Sequence, residues 1–171
     1  MNQPPETVFT GLRFNVQRVW HAGRARDVMR HPGAAVILPL VDADHVCLIR
    51  NHRVAVGETL IELPAGTLEP NEPPAATASR ELCEETGYTA GKIQLLTSYY
   101  PSPGVMDERM YLFLATELTP GPANLEVGEE IENLVVPMAQ AKQMVGTGEI
   151  QDGKTLAGLM WYWQFYRPTS S

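Results

Sequence analysis

The stretch RELCEETG, residues 80–87, places three glutamates and an arginine within six consecutive positions. Just upstream, Ala75, Ala78 and Leu82 recur at the spacing of one helix face. Two adjacent prolines precede this pattern and a glycine follows it, as is typical of a helix start and a helix end. The sequence therefore predicts a helix over residues 73–86.

On such a helix the carboxylates of Glu81, Glu84 and Glu85 would share one narrow face, with Arg80 beside it, because each residue adds about 100°. Like charges at this spacing destabilise a helix by a few tenths of a kcal/mol per pair. Either solvation with Arg80 or a bound divalent cation could offset that cost. The preceding turn favours a cation: Gly66 permits a tight turn that faces a backbone carbonyl to the helix, and carboxylate and carbonyl oxygens are ligands for magnesium or manganese.

Length and charge narrow the class of protein. The 171 residues suit one domain with at most a short arm, and the net charge is -7. A chain this acidic lacks the basic field that nucleic acids and anionic membranes require, so we expect neither as a partner. An anionic substrate would need a metal ion to reverse the local sign. No secretory signal or membrane-spanning run is present, and the two cysteines do not suggest a disulfide scaffold, so we expect a cytoplasmic protein.

Strand and helix patterns alternate along the chain, which predicts an α/β or α+β domain without internal repeats. We expect one or two strands within residues 7–31 and a hairpin formed by 34–41 and 46–53. The further predicted strands are 59–66, 92–100, 109–118 and 132–137. The further predicted helices are 138–145, ending at Gly146, and 155–167, capped by Asp152.

Residues 66–88, GTLEPNEPPAATASRELCEETGY, resemble the Nudix box. That pattern is G, five residues, E, seven residues, then R-E-U-x-E-E-x-G-U, where U is a bulky aliphatic residue. Tyr88 departs from it, since an aliphatic residue is usual there. The matching positions are Gly66, Glu72, Arg80, Glu81, Leu82, Glu84, Glu85 and Gly87.

The resemblance implies an α/β/α sandwich with a mixed β-sheet that hydrolyses a nucleoside diphosphate linked to another group. It implies two or more Mg²⁺ or Mn²⁺ ions, which neutralise a diphosphate and activate water. The implied metal ligands are Glu81, Glu84, Glu85 and the carbonyl of Ala65. Arg80 would orient a glutamate, and Glu72 would support the loop or a further metal. Gly66 and Gly87 would have structural roles.

Residues 31–166 also resemble ADP-ribose pyrophosphatases, in which a proline lies some fifteen positions beyond the box; here Pro103 is fifteen past Tyr88. This likeness implies hydrolysis of ADP-ribose to AMP and ribose 5-phosphate. The implied substrate-binding residues are Arg53, Thr67, Ser102, Pro103, Gly104 and Glu108. A glutamate of the acidic loop 125–134 would activate water or hold another metal, and the candidates are Glu126, Glu129 and Glu130. We place Glu85 with Glu126 and Glu129 as the catalytic set.

Two other functions remain open at this stage. The chain could hydrolyse a different nucleoside diphosphate sugar, such as a GDP-sugar, or it could be a non-catalytic module that senses ADP-ribose. Every metal-binding glutamate of the box is present, which disfavours the sensor.

Relatives are commonly homodimers with an exchanged N-terminal strand. We therefore expect residues 1–30 to form an N-terminal arm for dimerisation, with Phe9 to Trp20 as the exchanged strand, and residues 31–171 to form the Nudix domain.

Overall fold

The computed structural model describes residues 3–125 and 127–166, which form ten strands and three helices. In chain order these are β1 (Glu6–Thr10), β2 (Asn15–His21), β3 (Arg24–Arg30), β4 (Ala34–Pro39), β5 (His45–Arg53), β6 (Glu58–Glu62), β7 (Ala65–Thr67), α1 (Pro74–Thr86), β8 (Tyr88–Tyr99), β9 (Met110–Pro120), β10 (Ile131–Pro137), α2 (Met138–Thr147) and α3 (Gly153–Phe165). No helix in these two ranges has the length and apolar character needed to cross a membrane.

A four-stranded sheet in the order β7-β4-β9-β8 forms the centre of the fold. It is mixed, because β4 runs parallel to β9 and antiparallel to β7. All six residues of β4 are buried, as expected for a strand covered on both faces. Ala35 and Ile37 pack in a cluster with Leu82 of α1, whereas Val36 belongs to a second cluster that contains Leu159 of α3. Helices thus cover both faces, which confirms the predicted α/β/α sandwich.

The predicted hairpin of β4 and β5 is wrong. The two strands belong to different sheets, and a single bridge between Leu40 and Val46 is what remains of their pairing. Both edges of β4 are occupied by β7 and β9, so β5 pairs instead with β10 and β6 in a separate antiparallel sheet. Two apolar runs around a short turn predict local pairing, but the non-local partners β7 and β9 take both edges of β4.

The N-terminal segment forms three strands, more than the one or two predicted, and they make an antiparallel sheet in the order β1-β2-β3. This sheet is tied to the loop before β9. The Met29 N–H donates to the Val105 carbonyl at 2.9 Å, and the Asp107 N–H donates to the Met29 carbonyl at 3.2 Å. Arg30 also pairs with Asp107 at 2.8 Å. The role of this segment in dimerisation stays a prediction.

The helix ends follow the sequence signals closely. Gly87 ends α1 with φ 75°, in the left-handed region that favours glycine, and its N–H donates to the Cys83 carbonyl. The carboxylate of Asp152 accepts the Thr155 N–H and caps α3, as predicted. Helix α2 runs slightly past its predicted end, because Gly148 takes the left-handed cap position in place of Gly146.

Candidate active site

A cleft of about 1010 Å³ opens beside β7 and the second half of α1. Its walls come from β5, β6, the β7 segment, α1, the end of β8 and the start of α3, with Leu12 and Arg13 reaching in from the β1–β2 turn. The sequence-predicted residues that line it are Arg53, Ala65, Gly66, Thr67, Arg80, Glu81, Glu85, Glu108 and Glu129. The fold therefore brings most of the predicted site together in one place.

Glu85 is the most deeply buried carboxylate of α1, at 5% exposure. One of its oxygens accepts the Ala65 N–H at 2.9 Å. Burial raises the pKa of Glu85 to about 8, and the charges of Glu81 and Glu129 act in the same direction, against the opposing Arg53. In this setting a bound cation would stabilise the ionised form of the carboxyl group.

Glu81 lies in the cleft one helical turn before Glu85 and directly over β7. Its pKa is raised by burial, and a hydrogen bond from Arg80 opposes that shift. A Cβ built on Gly66 would overlap the carboxyl group of Glu81. The glycine is needed for this close approach, and its φ lies outside the left-handed region. The sequence alone explained the glycine at position 66 by a tight turn. The structure explains it by close packing against Glu81.

Arg80 binds three carboxylates of the motif. Its Nη1 donates to Glu81 at 2.7 Å and to Glu84 at 2.9 Å. Its Nε and Nη2 form a paired contact with Glu72, each at 3.1 Å. These bonds hold the pKa of Glu72 down at about 2. Glu72 also accepts from the Thr77 hydroxyl, so it braces the loop before α1. Glu84, predicted as a metal ligand, lies outside the cleft lining and faces Arg80.

The side chains fit a hard divalent cation by their chemistry. Within the described residues no three His, Cys, Asp or Glu side chains are already arranged around one point. Arg80 accounts for this, because it draws Glu81 and Glu84 to itself. Glu81, Glu85 and Glu129 nevertheless act on one another electrostatically at the cleft, which is the oxygen-rich, like-charged setting that Mg²⁺ or Mn²⁺ relieves.

The acidic loop supplies one described glutamate to the cleft. Glu129 lines it, near enough to Glu81 and Glu85 to raise the pKa of both. Glu130 instead lines a separate, open groove together with Arg50. Glu126 lies outside the described residues. The structure thus places Glu129, which the sequence favoured over Glu130, in the cleft and Glu130 outside it.

The loop before β9 contributes its two ends. Tyr100, Pro101 and Glu108 line the cleft, and the Glu108 carboxylate lies 3.3 Å from Nδ1 of His31. The tip, with Ser102, Pro103 and Gly104, is exposed and is absent from the lining. The Ser102 carbonyl accepts the N–H groups of Val105 and Met106, which closes the tip as a turn.

The cleft residues that sequence reasoning missed include Arg13, Glu62, Lys154 and, beyond its capping role, Asp152. Glu62 is fully buried, and its carboxylate pairs with Arg53 and with Lys154. Lys154 also pairs with Asp152 at 3.1 Å. A glutamate closing the apolar run TLIE was the available signal for a buried, partnered charge.

Residues 29–159 match the NUDIX domain. Over 132 residues the chain is 39% identical to the ADP-ribose pyrophosphatase of Bacillus subtilis, covering 76% of this chain and 71% of that protein. The chain belongs to the NUDIX family, which confirms the identification made from residues 66–88.

Other relatives carry different names. A GDP-mannose pyrophosphatase of Citrobacter koseri is also 39% identical, over 76% of each chain. A methanol dehydrogenase activator of Bacillus methanolicus is 32% identical, over 80% of this chain and 75% of that one. A solved structure described as an ADP compounds hydrolase superposes with a TM-score of 0.82, at 24% identity, over 96% of this chain and 92% of that chain. That likeness confirms the fold.

Proposed function

We propose that the protein hydrolyses the diphosphate bond of ADP-ribose, giving AMP and ribose 5-phosphate. The observation that carries this proposal is the cleft in which Glu81 and Glu85 of α1 meet Glu129 of the acidic loop beside β7. The named relatives support hydrolysis of nucleoside diphosphate sugars as the reaction class.

The cofactor is two or more Mg²⁺ or Mn²⁺ ions. Glu81, Glu85 and Glu129 would hold them, together with Glu84 once it turns from Arg80 and with the Ala65 carbonyl. When bound, such ions neutralise diphosphate charge and lower the pKa of a coordinated water. They also allow a chain of net charge -7 to bind an anion.

The chain's own residues then bind and orient the substrate. Arg53 is a cationic group close to the acids, since its charge lowers the pKa of Glu85. Thr67 follows Gly66 at the cleft edge and would lie beside the diphosphate, and Glu108 would bind hydroxyls of the terminal ribose. The tip formed by residues 102–104 would have to move inward to contact the substrate. Of the acidic loop, Glu129 is the proposed base, with Glu126 as the other candidate.

A second candidate substrate is a GDP-sugar. The chain is 39% identical both to an ADP-ribose pyrophosphatase and to a GDP-mannose pyrophosphatase, so identity does not separate them. The cleft holds Tyr99 and Tyr100, and aromatic faces accept either purine. A non-catalytic sensor is disfavoured, because the acids of α1 are all present.

The experiment is a comparison of turnover on ADP-ribose and GDP-mannose with Mg²⁺, using wild type, Glu129→Gln and Glu130→Gln. The two variants remove the same charge from adjacent positions, one lining the cleft and one outside it. We expect AMP release from ADP-ribose that Glu129→Gln reduces at least about 100-fold and Glu130→Gln leaves intact. Turnover of GDP-mannose alone would replace the substrate, and tight ADP-ribose binding without turnover would favour the sensor.

We propose a homodimer that uses residues 1–30, where Val8, Phe9 and Leu12 are exposed apolar side chains. Light scattering tests it, and a monomer mass at micromolar concentration would contradict it. We also propose a cytoplasmic location, in keeping with the free thiols of Cys47 and Cys83. A protein recovered from cells with these two cysteines oxidised would argue against that compartment.

A further inference from the structure

A group of four charged side chains, centred on one buried carboxylate, lies in the cleft beside the acids of α1. Glu62, at the end of β6, has an exposure of 0%. Arg53 binds both of its oxygens, through Nε at 2.8 Å and Nη2 at 2.5 Å. Lys154, with a side chain only 8% exposed, donates to the same carboxylate and to Asp152. The proposed metal chemistry does not use Glu62.

The partner of Arg53 is not the one that strand pairing would give it. In the register of β5 and β6, Arg53 lies directly opposite Glu58, and Glu62 lies opposite Ile49. Glu58 is exposed and available, yet the guanidinium extends along the strands to the buried Glu62. An ion pair with Glu58 would place the guanidinium toward solvent, whereas the pair with Glu62 places it in the cleft.

Stability alone gives little reason for this arrangement. Removing charges from water costs several kcal/mol per ion, so a buried ion pair is weak evidence of net stabilisation. What the Glu62 carboxylate does provide is a fixed orientation of the Arg53 and Lys154 side chains. The Glu62 carboxylate accepts hydrogen bonds from Nε and Nη2 of Arg53 and from one N–H of Lys154. A second N–H of Lys154 donates to Asp152. Within residues 3–125 and 127–166, no carboxylate bonds to Nη1 of Arg53, so each cation keeps a donor for a ligand.

We propose that Glu62 is a positioning residue, whose buried carboxylate holds Arg53 and Lys154 side by side so that their remaining N–H groups face a phosphate in the cleft. This inference rests on the proposed function, because it assigns the wall that binds the anionic part of the substrate. All four residues line the same cleft as Glu81 and Glu85. The anion is thus met by cations on one wall and by the metal-binding acids on the other.

The test replaces Glu62 by Gln and uses Glu58→Gln as the matched control, since both remove a carboxylate from β6 near Arg53. We would measure kcat and KM for ADP-ribose at saturating Mg²⁺, and the binding of AMP and of adenosine by titration calorimetry. We expect Glu62→Gln to raise KM and weaken AMP binding about 10- to 100-fold, the range for losing a charge-assisted hydrogen bond. Adenosine affinity, kcat within about threefold and the Glu58→Gln values should stay unchanged.

A purely structural role would lower the thermal midpoint while leaving KM and AMP affinity at wild-type values below it, and that result would overturn the proposal. If Glu62→Gln does not fold, Glu62→Asp keeps the charge and withdraws it by one methylene. A folded Glu62→Asp protein with wild-type KM would overturn the proposal equally. A wild type that binds AMP but turns over no diphosphate sugar would remove the proposed function alone, and the AMP and adenosine measurements would still decide the role of Glu62.

Discussion

Replacing Glu85 by Gln should make the metal-free protein more stable and the enzyme inactive. The reason is the burial that raises the pKa of this carboxyl from 4.5 to about 8. In the unfolded chain the group ionises freely above pH 4.5, whereas in the folded protein it stays protonated until about pH 8. Between these two pKa values the unfolded chain gives up the proton and the folded protein keeps it. The free energy of unfolding is therefore highest below pH 4.5 and falls as the pH rises toward 8.

The magnitude follows from that difference. Each pH unit between the two pKa values changes the free energy of unfolding by about 1.36 kcal/mol, so by pH 7 wild type has lost about 3 kcal/mol. Glutamine does not titrate, and its side-chain oxygen can still accept the Ala65 N–H that Glu85 accepts now. The variant should therefore keep the local geometry without the pH-dependent loss.

The assay is urea unfolding in EDTA at pH 5, 6, 7 and 8, for wild type, Glu85→Gln and the exposed control Glu130→Gln. Comparison of the three removes the effects of other titrating groups, including Glu81. We expect the stability difference between Glu85→Gln and wild type to grow by about 1 kcal/mol per pH unit. With Mg²⁺ added, kcat should fall at least about 100-fold, as expected for loss of the proposed metal ligand. Parallel pH curves for the two proteins, or a variant less stable at pH 7, would refute the reasoning.

Three further predictions concern the cleft and the core. Gly66→Ala puts a methyl group where the flexible end of Glu81 now lies. The substitution should lower the free energy of unfolding by under about 1 kcal/mol yet lower kcat about 100-fold, because it displaces the Glu81 carboxylate. A wild-type kcat would contradict the packing argument. Mg²⁺ binding at pH 7 should release about one proton, because a bound cation would ionise Glu85. Titration calorimetry in two buffers of different ionisation enthalpy will measure the proton release, and equal binding heats in the two buffers would count against it. Burial raises the pKa of the Cys47 thiol to about 12, so a thiol reagent should label half-buried Cys83 first and leave Cys47 until unfolding, and equal rates would disprove this.

Features that depend on neighbours in sequence were predictable. Helix α1 is bounded by two prolines and by Gly87, and its carboxylates share a face because helix geometry alone brings positions one turn apart together. The strand β4 was recognisable from its continuous apolar run, and the cap of α3 from Asp152. The motif of residues 66–88 combines several such local signals, which is why it was sufficient to identify the family.

Features that depend on distant segments were decided only by the tertiary structure. The sheet of β5 was set by competition, since β7 and β9 occupy the two edges of β4. Arg53 passes its directly opposite residue Glu58 and pairs with the buried Glu62, a partner that strand register does not indicate.

The site shows the same division between local and distant information. Glu129 lines the cleft while adjacent Glu130 does not, and Gly66 is required by the approach of Glu81 from another element. The sequence predicted which residues would carry the chemistry, because their types and spacing follow local geometry. The tertiary structure decided which of them meet, because burial and contact between segments far apart in the chain appear only when the core closes.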